Sequence, residues 1–120
     1  DADIDLRSKL LAWKTLYCPE AIGWHIRGGS TKKHSFKWRF LNYRNRYLMM
    51  IKNDSFINII LDLPQLFLYE AGMFFSMLIQ FQLIPVIFSV LILYPKFLRK
   101  RRQLQRRRKI SNWELRKYFD

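Results

Sequence analysis

Residues 66–94 read LFLYEAGMFFSMLIQFQLIPVIFSVLILY, a run of 29 residues with one charged side chain, Glu70. From Ala71 to Tyr94 there is none. A helix crosses a bilayer with about 20 predominantly apolar residues, so the length permits a span. Pro85 divides the run, and Gln80 and Gln82 stand just before it. Three arrangements fit this pattern: one kinked spanning helix, a re-entrant hairpin of two short helices, or helices lying along the bilayer surface. A core helix buried inside a water-surrounded domain fits less well, because the other 91 residues offer little surface to cover it. The stretch therefore makes the second half of the chain helical and predicts membrane-associated apolar helices over 56–95.

The next residues are strongly basic. Lys96, Arg99, Lys100, Arg101, Arg102, Arg106, Arg107, Arg108 and Lys109 supply nine cations in fourteen residues, with no acid among them. A polybasic run directly after an apolar segment suits the anionic lipids of a cytoplasmic leaflet, where each cation near the surface contributes about 1 kcal/mol. Over the whole chain 22 basic residues stand against 9 acidic ones, a formal charge of +13, which favours anionic partners. Nucleic acid is the rival partner. The run contains a single aromatic, Phe97, and no zinc-finger or RNP-type motif, so nucleic acid is not expected. Ser111-Asn112-Trp113-Glu114 reads as a capping box opening a last short helix, which completes a tail over 96–120.

Upstream of the apolar run, Phe36, Phe40, Tyr43, Tyr47 and Met50 recur at helical steps, with Ser35 placed to start a helix over 36–51. Arg44 and Arg46 lie on this amphipathic element. They are either part of a solvated basic face or ligands of a phosphate, which a guanidinium binds through two oxygens at once. Asn53-Asp54-Ser55 breaks the helix and caps the next, so a linking unit is drawn over 36–55. Before it, Arg27-Gly28-Gly29-Ser30 opens a loop whose amides and basic side chains suit a diphosphate, or simply a solvated connector.

The first residues hold three carboxylates in five, Asp1, Asp3 and Asp5. They read as acids at the positive end of a helix dipole or as a reacting carboxylate with its neighbours. Ile4, Leu6, Leu10, Leu11 and Trp13 give a roughly helical apolar face; residues 14–17 alternate like a strand that Pro19 ends; His25 comes after it. One histidine does not make a metal site. The single Cys18 forms no internal disulfide.

These segments carry a resemblance. Asp1-x-Asp3-Ile4-x-Leu6-Arg7, Leu10-Leu11-Ala12-Trp13-Lys14, Leu16-Tyr17-x-Pro19-Glu20-Ala21 and His25 are similar to the C-terminal part of family-two glycosyltransferases of GT-A type, above all the bacterial rhamnosyltransferase-like members. The likeness continues through Tyr43-Arg44-Asn45-Arg46-Tyr47-Leu48-Met49-Met50 and Lys52-Asn53-Asp54 to Arg106-Arg107-Arg108-Lys109-Ile110-Ser111. It implies that Asp1 is the general base, the second residue of the family's Glu-Asp pair, and that Asp3 supports it. It implies that His25 is a ligand of a divalent metal (Mg or Mn), and that Arg27, Arg44 and Arg46 lie near donor or acceptor phosphates. Ala12 stands where the family usually has Gly.

The expectation is a mainly α chain with a small α/β remnant of a catalytic domain over 1–35, read as the C-terminal piece of a larger enzyme whose donor-binding half lies upstream. That enzyme would be an inverting, metal-dependent glycosyltransferase, moving a sugar such as rhamnose from a nucleotide donor to a lipid-linked or polysaccharide hydroxyl. It would work at the cytoplasmic face of a cell membrane, peripherally or with one apolar insertion, and this piece alone would be inactive. The alternative is a membrane anchor or adaptor without catalysis.

Overall fold

A computed structural model describes residues 2–24, 32 and 34–118. Among them the chain is mainly α, with six helices and no strand. The first is α1 (Ala2–Leu10). It closes by hydrogen bonds from the amides of Ala12 and Trp13 to the carbonyls of Lys9 and Ser8, with Ala12 in the left-handed region at φ 56°. That is the usual glycine closure of a helix, made here by a residue with a Cβ. The expected strand over 14–17 does not form, and these residues are coil. Alternation gives a strand two faces but no ladder, and no neighbouring strand is present among the described residues to pair with it.

α2 (Phe36–Asn53) starts where the sequence places it, with the Ser35 hydroxyl accepting from the Trp38 amide at 3.2 Å. Its far end is closed by Arg101, whose guanidinium donates to the carbonyls of Ile51 (3.0 Å) and Asp54. Ser55 then caps α3 (Phe56–Leu61), accepting from the Asn58 amide at 3.1 Å. α4 (Leu63–Ile79) follows after Asp62, with a proline in its first turn, where no amide is missed. α5 (Leu83–Arg107) runs unbroken for 25 residues, about 37 Å. The second part of the apolar run, 83–94, and the basic run as far as Arg107 therefore share one helix, and no break separates them at 95/96.

Pro85 sits in the first turn of α5 and does not kink it. The break lies three residues earlier, where the Phe81 and Gln82 amides close α4 on Leu78 and Met77 and Phe81 takes a left-handed φ of 55°. Pro95 is the proline inside the helix. It removes one intrahelical hydrogen bond at the apolar–basic junction. The tail ends in α6 (Asn112–Arg116), which has the expected capping box: the Ser111 amide donates to Glu114 and the Glu114 amide to Ser111.

α2 organises the packing. α5 lies along it in the same direction, with Gln82 at the start of one reaching Phe36 at the start of the other. α4 runs against it, Tyr43 meeting Gln80 and Tyr47 meeting Glu70. α1 crosses the C-terminal end of α2, and the Lys109 amide donates to the Leu10 carbonyl at 2.9 Å, tying the end of the basic run to the end of α1. The core is thin: Leu10, Leu48, Met77, Val86 and Leu115 are its buried apolar side chains among the described residues.

Candidate membrane interface and basic cleft

α4 is polar on its inner side and apolar on its outer side. Glu70 accepts from the Tyr47 hydroxyl at 3.0 Å and pairs with Arg46 at 2.5 Å. The Tyr43 hydroxyl lies 3.0 Å from that of Ser76 and donates to Gln80, whose amide donates back to Ser76 at 2.8 Å. Gln82 is buried and donates to the Phe36 carbonyl. Burial raises the Tyr47 phenol, and Glu70 raises it further, to about 12, so it remains a donor at ordinary pH. For Arg46, burial disfavours the charge, but the bond and charge of Glu70 outweigh it and raise the pKa.

The opposite surface exposes Leu68, Ile79, Phe81 and Ile84, each at least three-quarters exposed, together with Phe67, Phe75, Phe88, Leu91 and Ile92. Water-facing helices do the reverse. Large apolar side chains exposed in this number on adjoining helices mark a membrane or interaction face. Among the described residues no single helix is long and apolar enough to cross a membrane. α4 and α5 pass that test only as a pair, bent by 112° across 80–82. An apolar groove of about 460 Å³, lined by Met50, Ile59, Phe74, Met77, Val86 and Val90, runs between the helices.

α1 and the basic half of α5 border a cleft of about 790 Å³. Arg7, Lys52, Lys100, Arg106 and Arg107 line it, with one carboxylate, Asp3. Asp3 is engaged by three neighbours: Lys52 at 2.5 Å, Asn53 at 2.7 Å and Arg7 at 3.2 Å. Burial works to raise its pKa, but the bonds from Lys52 and Asn53 and the charges of Lys52 and Arg7 outweigh it and hold the carboxyl below its ordinary value.

The residues singled out from sequence divide accordingly. Asp1, His25 and Arg27 lie outside the described residues. Asp3 sits in the cleft wall, its oxygens taken by cations and an amide. Arg44 donates to Asn45 and lies over the Phe40 ring. Arg46 is committed to Glu70 and lies over Tyr69. Of the nine cations of the basic run, Lys100, Arg106 and Arg107 face the cleft, and Lys96, Arg99, Arg102 and Lys109 are exposed outside it. Arg101 and Arg108 turn inward to backbone carbonyls, Arg108 to that of Ile110 at 2.6 Å.

Sequence reasoning missed Arg7 and Lys52 as cleft residues and Glu70 as a partner of Arg46. A lone charge in an apolar run is itself a signal for an inward partner. Lys52 and Arg7 carried none, since their cleft is made by contacts across about fifty residues of chain. Among the described residues no three His, Cys, Asp or Glu side chains come together as a metal site. Comparison with family models, curated proteins and solved structures returned no match.

Proposed function

We propose that the chain is the membrane-seated part of an inverting glycosyltransferase. The enzyme would move a sugar, with rhamnose the leading candidate, from a nucleotide donor to a lipid-linked or polysaccharide hydroxyl during cell-wall polysaccharide assembly at the cytoplasmic face. The membrane part rests on α4, whose Glu70 and Ser76 turn to α2 while Phe67, Leu68, Phe75 and Ile79 are exposed. The enzymatic part rests on the ordered run of motifs from Asp1 to Ser111.

In that chemistry Asp1 takes the proton of the acceptor hydroxyl as its oxygen attacks the anomeric carbon. The carbon–oxygen bond to the nucleotide diphosphate breaks on the opposite face, and configuration inverts. The implied divalent metal would take up the charge of the leaving diphosphate. Its ligands are not assembled among the described residues, where Asp3 is already engaged. Arg27, Arg44 and Arg46 are the candidate phosphate ligands. For Arg46 that role requires exchanging Glu70 for phosphate.

The test uses membranes containing the full-length protein, a labelled nucleoside-diphosphate rhamnose, and the variants Asp1→Asn and His25→Ala. Both variants should lose transfer while staying membrane-bound. Undiminished transfer by Asp1→Asn would sink the catalytic assignment. The second reading, a non-catalytic membrane anchor, is favoured by the apolar face being complete without Asp1 and His25. It would be supported by salt-resistant membrane binding with no transfer of any nucleotide-activated sugar.

A further inference from the structure

We infer that the cleft between α1 and the basic half of α5 is a binding site for the phosphate headgroup of an anionic lipid. The inference rests on the proposed seating at a membrane and not on sugar transfer. Five cations face one carboxylate there, and that carboxylate is already neutralised by Lys52 and Arg7. Arg106 and Arg107 line the cleft from exposed positions on α5, and Lys100 lies over the Phe97 ring. Cations therefore outnumber carboxylates five to one in the cleft lining, which suits an anion.

The cleft is also amphiphilic. Leu11, Trp13 and Leu104 form part of its wall, and the Trp13 indole is largely exposed. A free phosphate has no use for such a wall, whereas the glycerol and first methylenes of a lipid do. Its position fits the same occupant. α5 is continuous from its apolar half, so Lys100 lies about 9 Å and Arg107 about 20 Å along the helix beyond Tyr94. A headgroup captured there belongs to the bilayer that the apolar half touches.

The nine cations of the basic run therefore do not form a uniform charged surface. Lys100, Arg106 and Arg107 bind the headgroup, Arg101 and Arg108 hold the fold, and Lys96, Arg99, Arg102 and Lys109 add only diffuse attraction.

The experiment is flotation of the full chain with phosphatidylcholine vesicles, with and without phosphatidic acid. Two charge-matched triple variants are compared: Lys100→Gln/Arg106→Gln/Arg107→Gln in the cleft and Lys96→Gln/Arg99→Gln/Arg102→Gln outside it. The cleft triple should lose about tenfold or more affinity for phosphatidic acid vesicles beyond the loss of the outer triple, which reports general surface attraction alone. Equal losses would overturn the site in favour of general surface charge. Both triples should still bind phosphatidylcholine; if the wild type does not, the membrane reading itself fails, a separate outcome. Soluble glycerol phosphate should not displace the vesicles, and displacement by it would reassign the cleft to a water-soluble ester. If the cleft triple loses its helical circular dichroism, the single variants Lys100→Gln and Arg107→Gln are read in its place.

Discussion

Ala12 occupies a left-handed position that a Cβ makes unfavourable, by roughly 1–2 kcal/mol. Ala12→Gly should raise the melting temperature of the chain, by an amount equivalent to about 0.5–1 kcal/mol after the extra freedom of glycine in the unfolded chain is counted. As a sequence difference, alanine for glycine reads as neutral. The φ of the residue makes it costly. Asp3 is the second residue with a definite expectation. Asp3→Asn removes one partner from Lys52, which is almost buried, and should cost about 1.5–3 kcal/mol at neutral pH. Because the folded carboxyl lies below its unfolded value, its contribution is full above about pH 4 and fades as pH falls through the lower folded value. Melts of the two proteins should therefore converge on acidification below about pH 4 and differ at pH 7.

At the scale of elements, the α4–α5 junction sets two demands against each other. Phe81 closes α4 in a left-handed conformation, with its ring 84% exposed. Phe81→Gly should make the turn more stable in detergent solution, by about 1 kcal/mol. It should also weaken vesicle binding about tenfold or more, since burying a phenylalanine ring contributes about 1.5–3 kcal/mol. A variant gaining on both counts would exclude Phe81 from the membrane face. Arg101 makes the matching point at the other end of α2. Arg101→Gln should cost about 1–3 kcal/mol, because it opens carbonyls that the guanidinium closes. A basic residue on a lipid-facing surface would show no such loss.

For the whole molecule, the expectation is a membrane association that salt does not reverse. Exposed charge pairs are screened over about 3 Å at 1 M salt, so attachment through cations alone should wash off. The apolar face of α3, α4 and the first half of α5 should keep the protein in the pellet until detergent is added. Release by salt alone would refute apolar insertion.

The parts of this picture that depend on neighbours along the chain are legible in the sequence. Helical spacing places α2, the hydroxyls of Ser35, Ser55 and Ser111 mark three helix starts, and the lack of charge in 71–94 marks the apolar region. Each rests on contacts within a turn or two of chain, which composition and periodicity specify. The strand expected at 14–17 fails because a strand is a relation between segments, and alternation says nothing about the partner. The cleft is illegible for the same reason: Asp3 meets Asn53, and Arg101 meets Ile51, across about fifty residues. Which of nine consecutive-looking cations bind carbonyls, which face solvent and which line a pocket depends on the rotation of α5 against α2 and α1, and that rotation is set by the packing of all three helices together. Likewise, that α4 is polar toward its neighbour and apolar outward depends on Tyr43, Arg46 and Tyr47 being brought opposite Glu70, Ser76 and Gln80, an arrangement written in no local stretch of the chain.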